Sequence, residues 1–307
     1  MLRKIIFMGT PYFAVPILKS LYQNGYPISV VYTQPPKKSH RGQKINKSPI
    51  QSLSEVLNIE FRTPITLKNN NEEKLFLKEL NADIAIVVAY GQIIPTDFFD
   101  LTKKGFINIH ASLLPKFRGA APIQRSIMSL EKETGISIMQ IVEKLDTGPI
   151  CNSYSLKLLE NENAESLSNR LSLLAAEKII DDVENILNDR AIFKNQDGSK
   201  ATYANKILKS EGKIDWGENS KKIIGKINAL YLNSGAWFIH KGVRYKILKA
   251  EISNNKGEQG LVLSDDLEIA CIDGSIKVVE IQREGKRPQK ISEFMLGSQI
   301  KKGSNLK

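Results

Sequence analysis

Residues 4–32, KIIFMGTPYFAVPILKSLYQNGYPISVVY, decide the architecture. Ile5, Ile6, Phe7 and Met8 form a short β-rich apolar run, and Gly9-Thr10-Pro11 turns the chain. From Phe13 to Tyr22 the apolar residues recur at helical spacing. Pro16 fits the first turn of that helix and Asn24-Gly25 stops it. A second β-rich run follows from Ile28 to Tyr32. Strand, helix and strand within about thirty residues make a βαβ unit, and its right-handed crossover requires a parallel sheet. Only Gly9 punctuates the first turn, so the glycine pattern of dinucleotide sites is missing and NAD is not expected.

The same logic extends downstream. Asp83-Ile84-Ala85-Ile86-Val87-Val88-Ala89 is a near-continuous apolar run, as in a strand buried on both faces. Phe106-Ile107-Asn108-Ile109-His110 alternates instead, and its period of two puts Asn108 and His110 on one side. A loop with Pro115, Gly119 and Pro122 follows, at the carboxyl end where open α/β sheets place their chemistry. Asn108 and His110 could simply cap the strand, but Asp146 before Thr147-Gly148-Pro149 adds a carboxylate. Asn, His and Asp together supply an amide donor, a titratable imidazole and its orienting group. No Ser or Cys stands beside them as an evident nucleophile, and Cys151 reads as a packed thiol. The set suits attack by the substrate's own nucleophile on a carbonyl.

Residues 34–48 form an unusual insert with Lys37, Lys38, Arg41, Lys44 and Lys47, no acid, and turn formers throughout. Most charge runs are solvated surface, yet a loop this long inside a compact domain is usually functional or disordered. It follows a strand and so leaves the sheet at the active edge, where Arg and Lys serve phosphate contact. Further helices are expected over 48–57, 71–80, 121–130 and 164–187, and strands over 134–141 and 147–158. A polar, Lys-rich stretch to residue 208 reads as a linker. Beyond it come a helix over 220–230, a hairpin about Lys241-Gly242 and short strands at 261–263, 267–271 and 275–281. That rhythm predicts a small β-barrel, with His240 a surface residue. The resulting division is 1–189 catalytic, 190–208 linker and 209–307 barrel.

With 307 residues and 41% hydrophobic composition, two ordinary cores are affordable. No window approaches a membrane span, and the N-terminal apolar run is too short for a signal peptide. Cys151 and Cys271 lie far apart without metal-type spacing, which predicts a reduced, cytoplasmic protein with no metal. Net charge is +11, most of it in the C-terminal third, so anionic partners such as nucleic acid are favoured.

Asn108-Ile109-His110, Ser112-Leu113-Leu114-Pro115, Arg118-Gly119-Ala120-Ala121-Pro122-Ile123-Gln124 and Leu145-Asp146-Thr147-Gly148 resemble the folate-dependent formyltransferases. The Arg-Gly-Ala-Ala-Pro-Ile-Gln run resembles the branch acting on tRNA. Phe7-Met8-Gly9-Thr10-Pro11, Val88-Ala89-Tyr90-Gly91 and Ile214-Asp215-Trp216 carry the likeness along most of the chain. The resemblance implies a Rossmann-like catalytic domain followed by an OB-like barrel that holds tRNA. It implies 10-formyltetrahydrofolate as co-substrate, the initiator methionyl-tRNA as acceptor, and a cytoplasmic monomer. Asn108, His110 and Asp146 would be catalytic; Ser112, Leu113, Leu114, Pro115, Tyr90 and Gly91 would line the folate pocket. Lys37, Lys38, Arg41 and Lys44 would engage the acceptor arm. His40 stands where the family usually has Gly, and Asn233-Ser234 replaces the usual Asn-Pro. Glycinamide ribonucleotide and sugar-nucleotide formyltransferases share the Asn-His-Asp core, but the basic insert and basic C-terminal region argue against both.

Overall fold

The computed structural model describes residues 3–39, 44–231, 234–298 and 300–306, apart from the side chains at 38, 39, 44 and 45. His40, Arg41, Gly42 and Asn233 lie outside the described residues. The chain divides into two compact units. One comprises Met1–Gly119, Thr134–Leu156 and Ser168–Tyr203; the other comprises Ala120–Glu133, Lys157–Leu167 and Ala204–Lys307.

In the first unit, β1 (Ile5–Gly9), α1 (Val15–Gln23) and β2 (Ile28–Tyr32) make the expected βαβ step, with a short 3-10 turn at Tyr12–Ala14. The basic insert is a two-stranded ribbon, β3 (Lys37–Ser39) against β4 (Lys44–Asn46), pairing Lys37 with Asn46 and Ser39 with Lys44. Next come α2 (Pro49–Val56), β5 (Phe61–Arg62), α3 (Asn71–Leu80), β6 (Ile84–Val88) and β7 (Phe106–His110). Ser48 caps α2 by accepting from Gln51 N at 2.9 Å, and Asn70 caps α3 through Glu73 N. Past α4 (Pro122–Met128), which belongs to the second unit, β8 (Glu133–Gln140) and β9 (Ile150–Lys157) complete the sheet, and α5 (Ala164–Leu187) follows.

The seven strands run in the order β5-β2-β1-β6-β7-β8-β9. The first five are parallel, and β8 is antiparallel to β7. Ile6, Met8, Val30, Tyr32, Val87 and Phe106 share one core with Leu77 of α3. Their neighbours Ile5, Phe7, Val31, Ile84 and Ile86 point the other way and are equally buried, so both faces of the sheet are covered. On α5, Ser172 Oγ donates to Phe13 O at 2.7 Å; from α1, Ser20 Oγ donates to Ala176 O at 2.6 Å. Those two bonds tie α5 to α1 and to the 3-10 turn that precedes it. The Rossmann-like expectation is met.

The second unit adds α6 (Ser220–Ala229), β10 (Ala236–His240), β11 (Val243–Ser253), β12 (Glu268–Ala270), β13 (Ser275–Arg283), β14 (Gln289–Lys290) and α7 (Ile291–Met295). Its antiparallel sheet has the order β10-β11-β13-β12, with β14 beside β13. Register shifts between Ile247 and Ala250 bend β11, and the sheet curls as a half-barrel. Lys241 (φ 48°) and Gly242 (φ 75°) both adopt the left-handed turn that the hairpin requires. In the core Phe238 stacks on Tyr245, while Trp216 meets Phe238 and Phe294 meets Tyr245 edge to face, with successive centroids 5.5–5.9 Å apart. The run at 261–263 is not a strand. Leu261 bridges Asn305 while Val262 bridges Ile269, so two partners split a run too short to pair fully with either.

Candidate active site

β1, β2, β6 and β7 end at one edge of the parallel sheet, and the loops leaving it are tied together. Thr10 Oγ1 donates to Tyr90 O at 2.7 Å and accepts from Gln34 N at 3.3 Å. A single hydroxyl thus joins the connections after β1, β6 and β2.

Asn108 and His110 share a face of β7, with Asn108 in register with Val87 on one side and Met139 on the other. Asn108 is half-buried and His110 is buried. His110 Nε2 lies 2.9 Å from Phe117 O. A carbonyl only accepts, so Nε2 is the protonated nitrogen in this contact. Nδ1 then faces Asp146, 3.8 Å from Oδ2. That carboxylate oxygen also accepts from Gly119 N at 2.8 Å. The loop at 117–119 therefore holds both ends of the pair. Phe117 adopts φ 60°, a left-handed conformation costing a bulky residue about 1–2 kcal/mol, and its carbonyl meets the imidazole from there. Asp146 is also left-handed, at φ 52°. Two residues on, a Cβ at Gly148 would lie 1.8 Å from Gln140 O, so only glycine lets the turn close on β8.

The 112–116 loop is closed on itself and stapled to β8. Ser112 Oγ donates to Lys116 O at 2.7 Å. Ser137 Oγ donates to Ser112 O at 2.8 Å and accepts from Leu114 N at 3.0 Å. Leu114 is buried, while Leu113 and Pro115 are half-buried. At the end of β6, Tyr90 is buried and belongs to the core that contains Phe106. Its hydroxyl and Gln92 Oε1 are buried without a partner among the described residues. Burial, aided by the charge of Glu73, pushes the Tyr90 phenol well above its ordinary pKa, so it stays a donor. Gly91 needs its φ of 86° to turn here. Lys37 is exposed on the ribbon; Lys38 and Lys44 lie on its paired strands, and Arg41 falls outside the described residues.

Sequence reasoning missed the brace on this site. The segment read as linker runs along both site loops. Ile150 and Lys194 exchange backbone hydrogen bonds at 2.9 Å, and Arg118 N donates to Thr202 O at 2.9 Å. Phe117 N donates to Thr202 Oγ1 at 2.8 Å. Gln196 Nε2 donates to Asp146 O at 2.9 Å and Gly148 O at 2.8 Å. No periodicity or motif marks residues whose work is side chain to backbone across fifty positions.

A formyl transferase family model matches residues 3–183, and a model of the formyl transferase C-terminal domain matches 206–299. The chain belongs to the formyl transferase family. It is 66% identical over 307 residues to the methionyl-tRNA formyltransferase of Pelagibacter ubique (strain HTCC1062), covering 100% of this chain and 99% of that one. It is 40% identical over 303 residues to the methionyl-tRNA formyltransferase of Jannaschia sp. (strain CCS1), covering 99% of each. Among solved structures, HypX from Aquifex aeolicus in complex with tetrahydrofolic acid matches at TM-score 0.68 and 15% identity, covering 98% of this chain and 49% of that one. An N-formyltransferase from Helicobacter canadensis in complex with folinic acid and dTDP-3-aminofucose matches at TM-score 0.68 and 21% identity, covering 92% and 100%. These structural likenesses carry the formyltransferase fold. Among the described residues no helix is long and apolar enough to cross a membrane.

Proposed function

We propose that this formyl transferase moves the formyl group of 10-formyltetrahydrofolate to the α-amine of initiator methionyl-tRNA. The carrying observation is full-length identity of 66% to a methionyl-tRNA formyltransferase, with Asn108, His110 and Asp146 at the active edge of the sheet. Residues 1–189 are read as the catalytic region and 209–307 as the tRNA-binding region, joined by 190–208.

The residues at the edge suit a folate. The turn after β6 brings backbone opened by Gly91 to this edge, where main-chain groups can read a polar ring, while the Tyr90 side chain anchors the turn in the core. Tyr90, Gly91 and 112–115 would hold it. When bound, the co-substrate supplies an electrophilic formyl carbon. Asn108 offers an amide donor to charge developing on the formyl oxygen. His110 is fixed by Phe117 O through Nε2, leaving Nδ1 toward Asp146. Asp146, anchored by Gly119 N, orients the imidazole and receives the amine proton directly or through water; the bond from the formyl carbon to N10 breaks, and tetrahydrofolate leaves with N10 taking up one proton, so the exchange balances. Lys37, Lys38, Arg41 and Lys44 are assigned to acceptor-arm phosphates.

An acceptor screen tests this. Purified protein with 10-formyltetrahydrofolate is offered methionyl-tRNA, glycinamide ribonucleotide, a dTDP-amino sugar and water alone. Formylation of methionyl-tRNA at least about a hundredfold above the others in kcat/KM is expected. Preference for any other acceptor overturns the assignment.

A further inference from the structure

Gln196 uses every hydrogen-bonding position of its side-chain amide. Nε2 donates to the carbonyls of Asp146 and Gly148, at 2.9 and 2.8 Å. Oε1 accepts from Arg118 Nε at 3.1 Å and Nη2 at 2.8 Å. The orientation is fixed by chemistry: guanidinium only donates and carbonyls only accept, so a flipped amide would lose all four bonds. Arg118 precedes Gly119, whose N–H binds the Asp146 carboxylate, and follows Phe117, whose carbonyl binds His110. The contacts form a closed ring, Asp146 to Gly119, Arg118, Gln196 and back to the backbone of Asp146. The members are largely withdrawn from water, with Arg118 buried and Asp146 at 10% side-chain exposure.

We propose that Gln196 is a positioning residue for formyl transfer. It holds the 142–149 turn against the 117–119 loop, which sets the approach of the Asp146 carboxylate to His110. The idea rests on the assignment of Asp146 as a catalytic group. Losing the amide leaves the carboxylate tied only through its own side chain, and the left-handed backbone at Asp146 then lacks a restraint on its carbonyl. A shift of an ångström at a reacting group costs about a hundredfold in rate, whereas substrate contacts elsewhere are untouched.

The test uses full-length protein with Gln196→Ala and Gln196→Glu. The glutamate keeps the bulk and the Arg118 contacts but turns a donor into an acceptor facing two carbonyls, so it carries the test should the alanine variant be unstable. At saturating methionyl-tRNA and formyl donor, kcat should drop about tenfold or more in both, with each KM within about threefold of the parent. In an Asp146→Asn background, adding either substitution should lower kcat by less than about twofold, because Gln196 acts through Asp146. Hydrogen exchange of amides 142–149 should quicken in the variants while that of 84–88 stays unchanged. An unchanged kcat, losses that multiply in the Asp146→Asn background, or unaltered exchange at 142–149 would each overturn the proposal. A parent inactive on methionyl-tRNA would instead overturn the substrate assignment, and the exchange measurement would still decide what Gln196 holds.

Discussion

His110 and Asp146 stand 3.8 Å apart, too far for a direct hydrogen bond and close enough for charge to matter. Asp146→Asn preserves size and can still accept from Gly119 N, so the fold should survive. What disappears is the negative charge and the control over the imidazole. The expected result is a kcat lower by about a hundredfold to ten-thousandfold with a melting temperature near the parent's. A kcat within about tenfold of the parent, or a loss under roughly 1.4 kcal/mol in the barrier, would remove Asp146 from the catalytic assignment. Asn108 and His110 were legible because a period of two puts both on one face. Asp146 was legible because Thr-Gly-Pro marks a turn. The carbonyl of Phe117 and the amide of Gln196 were not, since backbone acceptors and lone polar side chains carry no sequence pattern.

Among the elements, α5 and β9 share a partly buried polar contact centred on the buried Asp182. Asn152 and Tyr154 on β9 both donate to Asp182 of α5, the Tyr154 hydroxyl at 3.1 Å from each carboxylate oxygen. Desolvation is the largest influence and holds the Asp182 carboxyl above its ordinary value despite those donors. With a folded pKa above the unfolded one, its stabilising contribution is full below about pH 4 and fades as pH rises through the folded value. Urea unfolding of parent and Asp182→Asn from pH 4 to 7 isolates the effect. The asparagine variant should gain stability relative to the parent as pH rises across that window; a difference that shrinks with pH contradicts the raised value. The ribbon β3–β4 yields a second expectation. Arg41→Ala should lower kcat/KM for methionyl-tRNA while folate affinity is unchanged, because the ribbon is basic and leaves the active edge. Equal activity across tRNA concentrations would leave the ribbon as solvated surface. Long elements such as α5 were readable from periodicity. The 261–263 run misled because an apolar triplet looks the same whether it pairs with one strand or is shared between two.

For the molecule as a whole, positive charge is the signal that composition carried. Arg244, Lys246 and Arg283 line a shallow cleft of about 290 Å³ on the half-barrel, and Arg244 stacks over Trp237 at 4.5 Å. Replacing all three by alanine should flatten the slope of log K for tRNA against log salt by roughly 0.9 per lost phosphate contact. Titrations at several salt concentrations that give parallel slopes for parent and variant would mean this face does not touch RNA. The two compact units are each assembled from segments far apart in the chain, which no local pattern announces. The turn formers near 198 suggested a tether, whereas the distant pairing of 120–133 with 204 onward depends on contacts that no local pattern encodes.

That discontinuity also governs how the protein is made. α4 is among the residues translated before position 134, yet Ile127 O and Leu130 pack against Gly225 of α6, and Arg125 pairs with Glu211 at 2.6 Å. At about 5–20 residues per second, α4 waits several seconds on the ribosome before those partners emerge. During that interval its apolar face lacks its native cover and is expected to be open to chaperones and proteases. A ribosome-stalled chain ending near residue 204 should be nicked by protease within 120–133, and one stalled well beyond residue 307 on a C-terminal extension should resist.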